Sequence, residues 1–112
     1  MNDRDRIYLG HIIENIRYIE DSVKGITKAE FKTNRLLIDA TLRRLEVIGE
    51  AVKSLSPLLT ADNPQVEWKK IAGTRDIIIH AYFDVDLDLV WQITGKDLKN
   101  LEAELNLILE RK

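Results

Sequence analysis

Arg75, Asp76, His80 and Tyr82 lie close together in a chain that contains only two histidines. Their types suit cleavage of a phosphodiester without a metal ion. A histidine titrates near neutral pH, so His80 can take a proton from a ribose 2′-hydroxyl or return one to a leaving oxygen. An arginine stays charged, and Arg75 can hold phosphate oxygens in a two-pronged fork as negative charge builds up on them. Asp76 stands four residues before His80, so its carboxylate can orient the imidazole or raise its pKa. On these residues alone, a structural histidine beside a structural arginine remains the competing explanation.

The element that carries them is predicted to be a helix. At about 100° per residue, with Arg75 at zero, Ile77, Ile78 and Ala81 fall between roughly 200° and 300°, an apolar arc suited to a core. Tyr82 falls near 340°, Ile79 near 40°, Asp76 near 100° and His80 near 140°. Arg75 and His80 are therefore about 140° apart, and they converge on one substrate only through the length of the arginine or through a second subunit. Ile79, an apolar residue ringed by polar ones, suits a subunit contact with a reactive rim, which predicts a two-fold homodimer. The run Ile77-Ile78-Ile79 is also compatible with a short buried strand, but the chain offers no second strand to pair with it.

The surrounding segments are predicted to be helical as well. Leu9, Ile12, Ile16, Ile19 and Val23 recur in steps of three and four, with acidic and arginine residues on the opposite face. Gly25 supplies a left-handed stop. Thr27-Lys28-Ala29-Glu30 reads as a capping box that opens a long second helix, expected from about residue 28 to residue 55. Its stripe is Leu37, Thr41, Leu45, Ile48, Val52 and Leu55, widened by Leu42 and by Gly49, which suits close helix approach. Ser56-Pro57 ends that helix as a cap followed by a first-turn proline, and the stretch through Asp62-Asn63-Pro64 reads as a loop. After the acidic Asp84, Asp86 and Asp88, the residues Leu87, Trp91, Thr94, Leu98, Leu101, Leu105 and Ile108 mark a last helix or helix pair, with Gly95 as a kink. The fold class expected is all-α, an up-down bundle of four or five helices in a single domain spanning residues 1–112.

Composition narrows the function classes. The 112 residues are 45% hydrophobic and 32% charged, which is the balance of a globular chain. The absence of cysteine excludes disulfides and thiolate metal sites and fits a reducing cytoplasm. The charged start, without an apolar run after it, does not read as a secretion signal, and no stretch has the length of a membrane span. The expected location is cytoplasmic. With 17 basic and 19 acidic residues the net charge is −2, so any contact with RNA must use a local basic cleft. Arg43-Arg44 and Lys69-Lys70 are candidates for such a rim, although exposed solubilising charge is the simpler explanation. Trp68 and Trp91 read as core or interface aromatics, and His11 as a surface residue. Glu46 and Glu50 lack the accompanying Glu-x-x-His of a di-metal site, so neither metal nor cofactor is expected.

The run from Arg75 through four residues to His80-Ala81-Tyr82 resembles the R-x4-H-x-Y motif of HEPN domains, in particular those of the HepT toxin family. Leu42-Arg43-Arg44-Leu45-Glu46-Val47-Ile48-Gly49-Glu50-Ala51 is similar to the second-helix signature of that family, and the similarity extends to residues 68–73, 83–86 and 90–91. The resemblance covers nearly the whole chain, with Asp84 departing from a glycine that many relatives have. It implies a dimeric HEPN-like bundle acting as a metal-independent endoribonuclease toxin on RNA, with transfer RNA as a candidate target. Arg75 and His80 would be catalytic and Asp76 supporting. It further implies a type VII-like toxin–antitoxin pair. A separately encoded minimal nucleotidyltransferase antitoxin would silence the toxin by adenylylating Tyr82, within a homodimer or a larger hetero-oligomer. Two alternatives remain beside this one: a non-catalytic subunit that holds nucleotide or substrate for such a nucleotidyltransferase, and a purely structural dimer of helices.

Overall fold

The computed structural model describes residues 1–80 and 86–111, with the side chains of residues 75–80 left aside. The described residues fold into α1 (Asp3–Val23), α2 (Lys28–Thr33), α3 (Arg35–Lys53), α4 (Pro57–Asp62), α5 (Trp68–His80), α6 (Leu87–Gln92) and α7 (Leu98–Arg111). A π-helical turn, Ile93–Asp97, joins the last two. The all-α expectation holds. The bundle is made by the four longer helices α1, α3, α5 and α7, while α2, α4 and α6 are six-residue connectors.

The stripes read from the sequence are the ones that bury. Leu9, Ile12, Ile16 and Ile19 of α1 meet Leu45, Ile48 and Val52 of α3 and Leu98, Leu101, Leu105 and Ile108 around α7 in one core. α3 packs against α1 on one side and α5 on the other, and α1 packs against α7. Cross-links fix the directions. Asp5 reaches Ser56 and Asn15 reaches Arg44, so α1 and α3 run antiparallel. Arg17 of α1 bonds Glu102 of α7 at 3.2 Å, and Gly10 and Leu109 line one surface groove along the two helices.

Local chemistry explains most of the boundaries. Gly25 adopts φ +75°, the left-handed stop after α1. The Thr27 hydroxyl accepts from the Glu30 amide at 3.1 Å, and the Glu30 carboxylate accepts from the Thr27 amide at 2.9 Å, completing the capping box. Ser56 caps α4 by accepting from the Leu59 amide at 3.2 Å, with Pro57 in the first turn.

One expected element is corrected. The helix anticipated from about residue 28 to residue 55 is two helices, broken at Asn34. Asn34 takes an extended conformation and serves both sides: its backbone N–H donates to Phe31 O, and its side chain accepts from the Leu37 amide at 3.1 Å. Asparagine competes for backbone bonds in this way, and the two caps together outweigh one continued turn. The break turns Phe31 inward, where it is fully buried. At Gly95 the anticipated kink is the π turn, in which the Leu98 amide bonds Ile93 O and the buried Thr94 hydroxyl donates to Trp91 O at 2.8 Å.

Candidate active site

Helix α5 carries the motif backbone. It runs without interruption from Trp68 to His80, so Arg75, Asp76 and His80 belong to one helix and the strand alternative for Ile77–79 is excluded. One helical turn separates Asp76 from His80, and five residues, about 7.5 Å of axial rise, separate Arg75 from His80. Tyr82 and Asp84 lie outside the described residues.

The near end of α5 is held by a buried polar knot that the sequence did not reveal. The Trp68 indole N–H donates to Asn63 O at 2.9 Å, and the buried Asn63 side chain donates to Leu59 O at 2.9 Å. The same side chain accepts from Arg111 at 3.2 Å, so α4, α5 and α7 meet at one residue. Trp68 is therefore a core aromatic with its one donor satisfied, as expected of a buried indole. Asn63 reads from sequence as a loop residue, because the partners that bury it come from three separate segments.

Asp86 caps α6 by accepting from the Leu89 amide at 3.1 Å. Asp88 accepts from Lys28 at 3.0 Å and Lys32 at 3.1 Å, and these two lysines hold its carboxyl below the ordinary aspartate range. Trp91 packs on Phe31 with ring centroids 5.3 Å apart.

The basic residues singled out from the sequence divide between helix packing and the surface. Arg44 is drawn onto α1, where it donates to Asn15 at 3.1 Å and stacks over the Tyr18 ring at 4.4 Å. Asn15 in turn donates to His11 O at 2.8 Å. Arg43 faces outward and pairs with Glu46 at 3.5 Å. Lys69 and Lys70 are exposed on α5, six and five positions before Arg75, with Lys70 3.9 Å from Glu67. His11 is exposed and meets Tyr8 edge-on at 6.1 Å. Among the described residues no group of three or more histidine or carboxylate side chains is arranged to hold a metal ion.

A groove of about 490 Å³ separates α5 from the α6–π–α7 arm. Leu45 and Ile48 form its floor, Lys70, Ile71 and Thr74 one wall, and Gln92, Ile93 and Leu101 the other. Its α5 wall, Lys70, Ile71 and Thr74, lies on the stripe that helix periodicity continues to positions 77 and 78.

Comparison with known proteins bears on what this helix does. The family model described as "Ribonuclease HepT-like" matches residues 12–108. A Methanocaldococcus jannaschii protein named for a gamma-glutamylcyclotransferase and a candidate RNase is 43% identical over 94% of this chain, which spans 47% of that longer protein. A candidate RNase of Caldanaerobacter subterraneus subsp. tengcongensis is 39% identical, with 95% of each chain covered. A candidate ribonuclease HepT of Thermococcus cleftensis is 34% identical over 87% of this chain and 88% of its own. No solved structure matches.

Proposed function

We propose that this chain, which belongs to the HepT-like ribonuclease family, is the toxin of a toxin–antitoxin pair and cleaves RNA endonucleolytically without a metal ion. The 2′-oxygen attacks the adjacent phosphorus and the bond to the 5′-oxygen breaks, leaving a cyclic phosphate. His80 moves the proton, Arg75 stabilises the charge on the phosphate oxygens, and Asp76 orients the imidazole. Two subunits place their motif helices along one cleft, so that each phosphate meets an arginine and a histidine without one short stretch of helix having to span both. A minimal nucleotidyltransferase antitoxin transfers AMP from ATP to the Tyr82 hydroxyl, releasing pyrophosphate, and the attached phosphate then competes with RNA for Arg75. Transfer RNA is the candidate substrate.

The observation that carries this reading is the unbroken helix α5, which keeps Asp76 and His80 one turn apart. The deciding experiment is cleavage of an RNA pool in EDTA by the wild type and by His80→Ala. The wild type is expected to produce cyclic phosphate ends, and His80→Ala to be slower by about 10² to 10⁴-fold. Full activity in the variant, or activity that returns only with added magnesium, overturns the mechanism.

A further inference from the structure

The outward face of α1 carries a glycine for which packing within the fold gives no reason. Gly10 stands inside a 21-residue helix, where glycine is among the poorest choices, and a Cβ placed on it would meet nothing within 4 Å. The missing side chain keeps open a groove of about 440 Å³ between α1 and α7. Glu14, Arg17 and Asp21 follow Gly10 at steps of four, three and four and line the groove with it. Asn106 and Leu109 line it from α7.

Tyr18, also in the lining, is held as a stacking platform. The Arg44 guanidinium lies over its ring at 4.4 Å and is itself fixed by its bond to the buried Asn15, yet Tyr18 stays 49% exposed. A ring supported by an arginine on one side and half open to solvent offers its remaining surface to another flat ring. Among the described residues the side chains of Glu14, Asp21 and Asn106 enter no hydrogen bond or ion pair. Two carboxylates repel a phosphate, so the groove suits a base and not the backbone of a nucleic acid. Guanine alone sets two neighbouring N–H donors beside a carbonyl on its pairing edge, which matches carboxylate acceptors next to an amide N–H.

We propose that the α1–α7 groove is a second RNA contact, apart from the motif helix, that takes one unpaired guanine. The base stacks on Tyr18 over Gly10, and Glu14, Asp21 and Asn106 read its edge. The choice of RNA as the ligand rests on the proposed ribonuclease reading.

The probes are two fluorescein-labelled octaribonucleotides, one all uridine and one with a single central guanosine. They are bound to protein carrying His80→Ala, so that cleavage does not intrude, and followed by anisotropy. The guanosine octamer is expected to bind more tightly. Tyr18→Ala should weaken that binding about fivefold to a hundredfold, and Tyr18→Phe, which keeps the ring, should retain it. Gly10→Leu should abolish the preference for guanosine while keeping or raising the melting temperature, because the new side chain enters open space on a helix. Glu14→Gln/Asp21→Asn should reduce the same preference. Equal binding of the two octamers, or a preference that survives Tyr18→Ala or Gly10→Leu, overturns the site. A surviving preference with altered sedimentation in Gly10→Leu assigns the groove to a protein contact instead. If the wild type cleaves no RNA while the preference for guanosine holds and is lost in Gly10→Leu, the ribonuclease reading falls and the groove stands.

Discussion

The Asp5 carboxylate closes the gap between the first turn of α1 and the start of α4. It accepts from the Ser56 backbone amide at 2.9 Å and from the Ser56 hydroxyl at 2.6 Å. Only 2% of Asp5 is exposed. Ser56 also caps α4, so one carboxylate orients the cap of a helix 51 positions away in sequence. Asp5→Ala leaves the part-buried Ser56 amide and hydroxyl without their acceptor and should cost about 2 kcal/mol. That lowers the melting temperature by roughly 10 °C for a domain of this size. Urea unfolding checks it through a lower midpoint at unchanged slope. Ser56→Ala, which also removes the cap, should not be additive with it.

Glu20 carries the opposite sign. Burial first, and then the neighbouring Glu102, push its carboxyl above the ordinary range. A carboxyl with a raised folded pKa stabilises the fold below its unfolded pKa and loses that contribution as pH rises through the folded value. At neutral pH its charge therefore opposes folding. Glu20→Gln should raise the melting temperature at pH 7, and the gain should vanish in the acid range. A melting series from pH 3 to 8 reads both.

Glu30 and Asp88 behave in the other direction. The Glu30 carboxyl is held low by the Thr27 amide and then by the Thr27 hydroxyl, and that of Asp88 by Lys28 and then Lys32. Their contributions are present above the unfolded carboxylate pKa and are lost as pH falls through the lowered folded values. Carbon-detected titration should show both midpoints below the ordinary range. Lys28→Met/Lys32→Met should return Asp88 to that range without moving Glu30.

Asp76→Asn separates orientation from charge at the motif. If the carboxylate raises the His80 pKa, the histidine-dependent limb of the pH–rate profile should shift to lower pH in the variant. Arg75→Ala should cost about 10² to 10³-fold in kcat with the fold intact. A pH profile unchanged in Asp76→Asn would remove Asp76 from the site.

Tyr82→Phe tests the regulation. The variant should cleave RNA at close to the wild-type rate and should no longer be silenced when ATP and the partner nucleotidyltransferase are added. Mass spectrometry after that reaction should find AMP on the wild type and none on the variant. A Phe variant that is still silenced and modified places the acceptor elsewhere.

Much of the bundle was legible in the sequence because helix periodicity and capping are local. Leu9 to Ile19 and Leu98 to Ile108 bury along the stripes their spacing draws, and Thr27, Ser56 and Gly25 cap or stop helices with partners at most four residues away. Arg75, Asp76 and His80 were singled out by type, spacing and resemblance, and the helix that Arg75, Asp76 and His80 share follows from the same periodicity. What the sequence left undecided are contacts whose partner is distant along the chain. Asp5, Asn15 and Asn63 look like surface polar residues until Ser56, Arg44, Trp68 and Arg111 arrive beside them. Arg44 looks like a free cation beside Arg43 until α1 brings Asn15 and Tyr18 beneath it. Asn34 stands in an apolar pattern that would carry a helix straight through, and the break is favoured because it lets Phe31 reach the core and Trp91. A polar side chain is buried only where its hydrogen bonds are met, and whether they are met is decided by which helices the tertiary structure sets side by side.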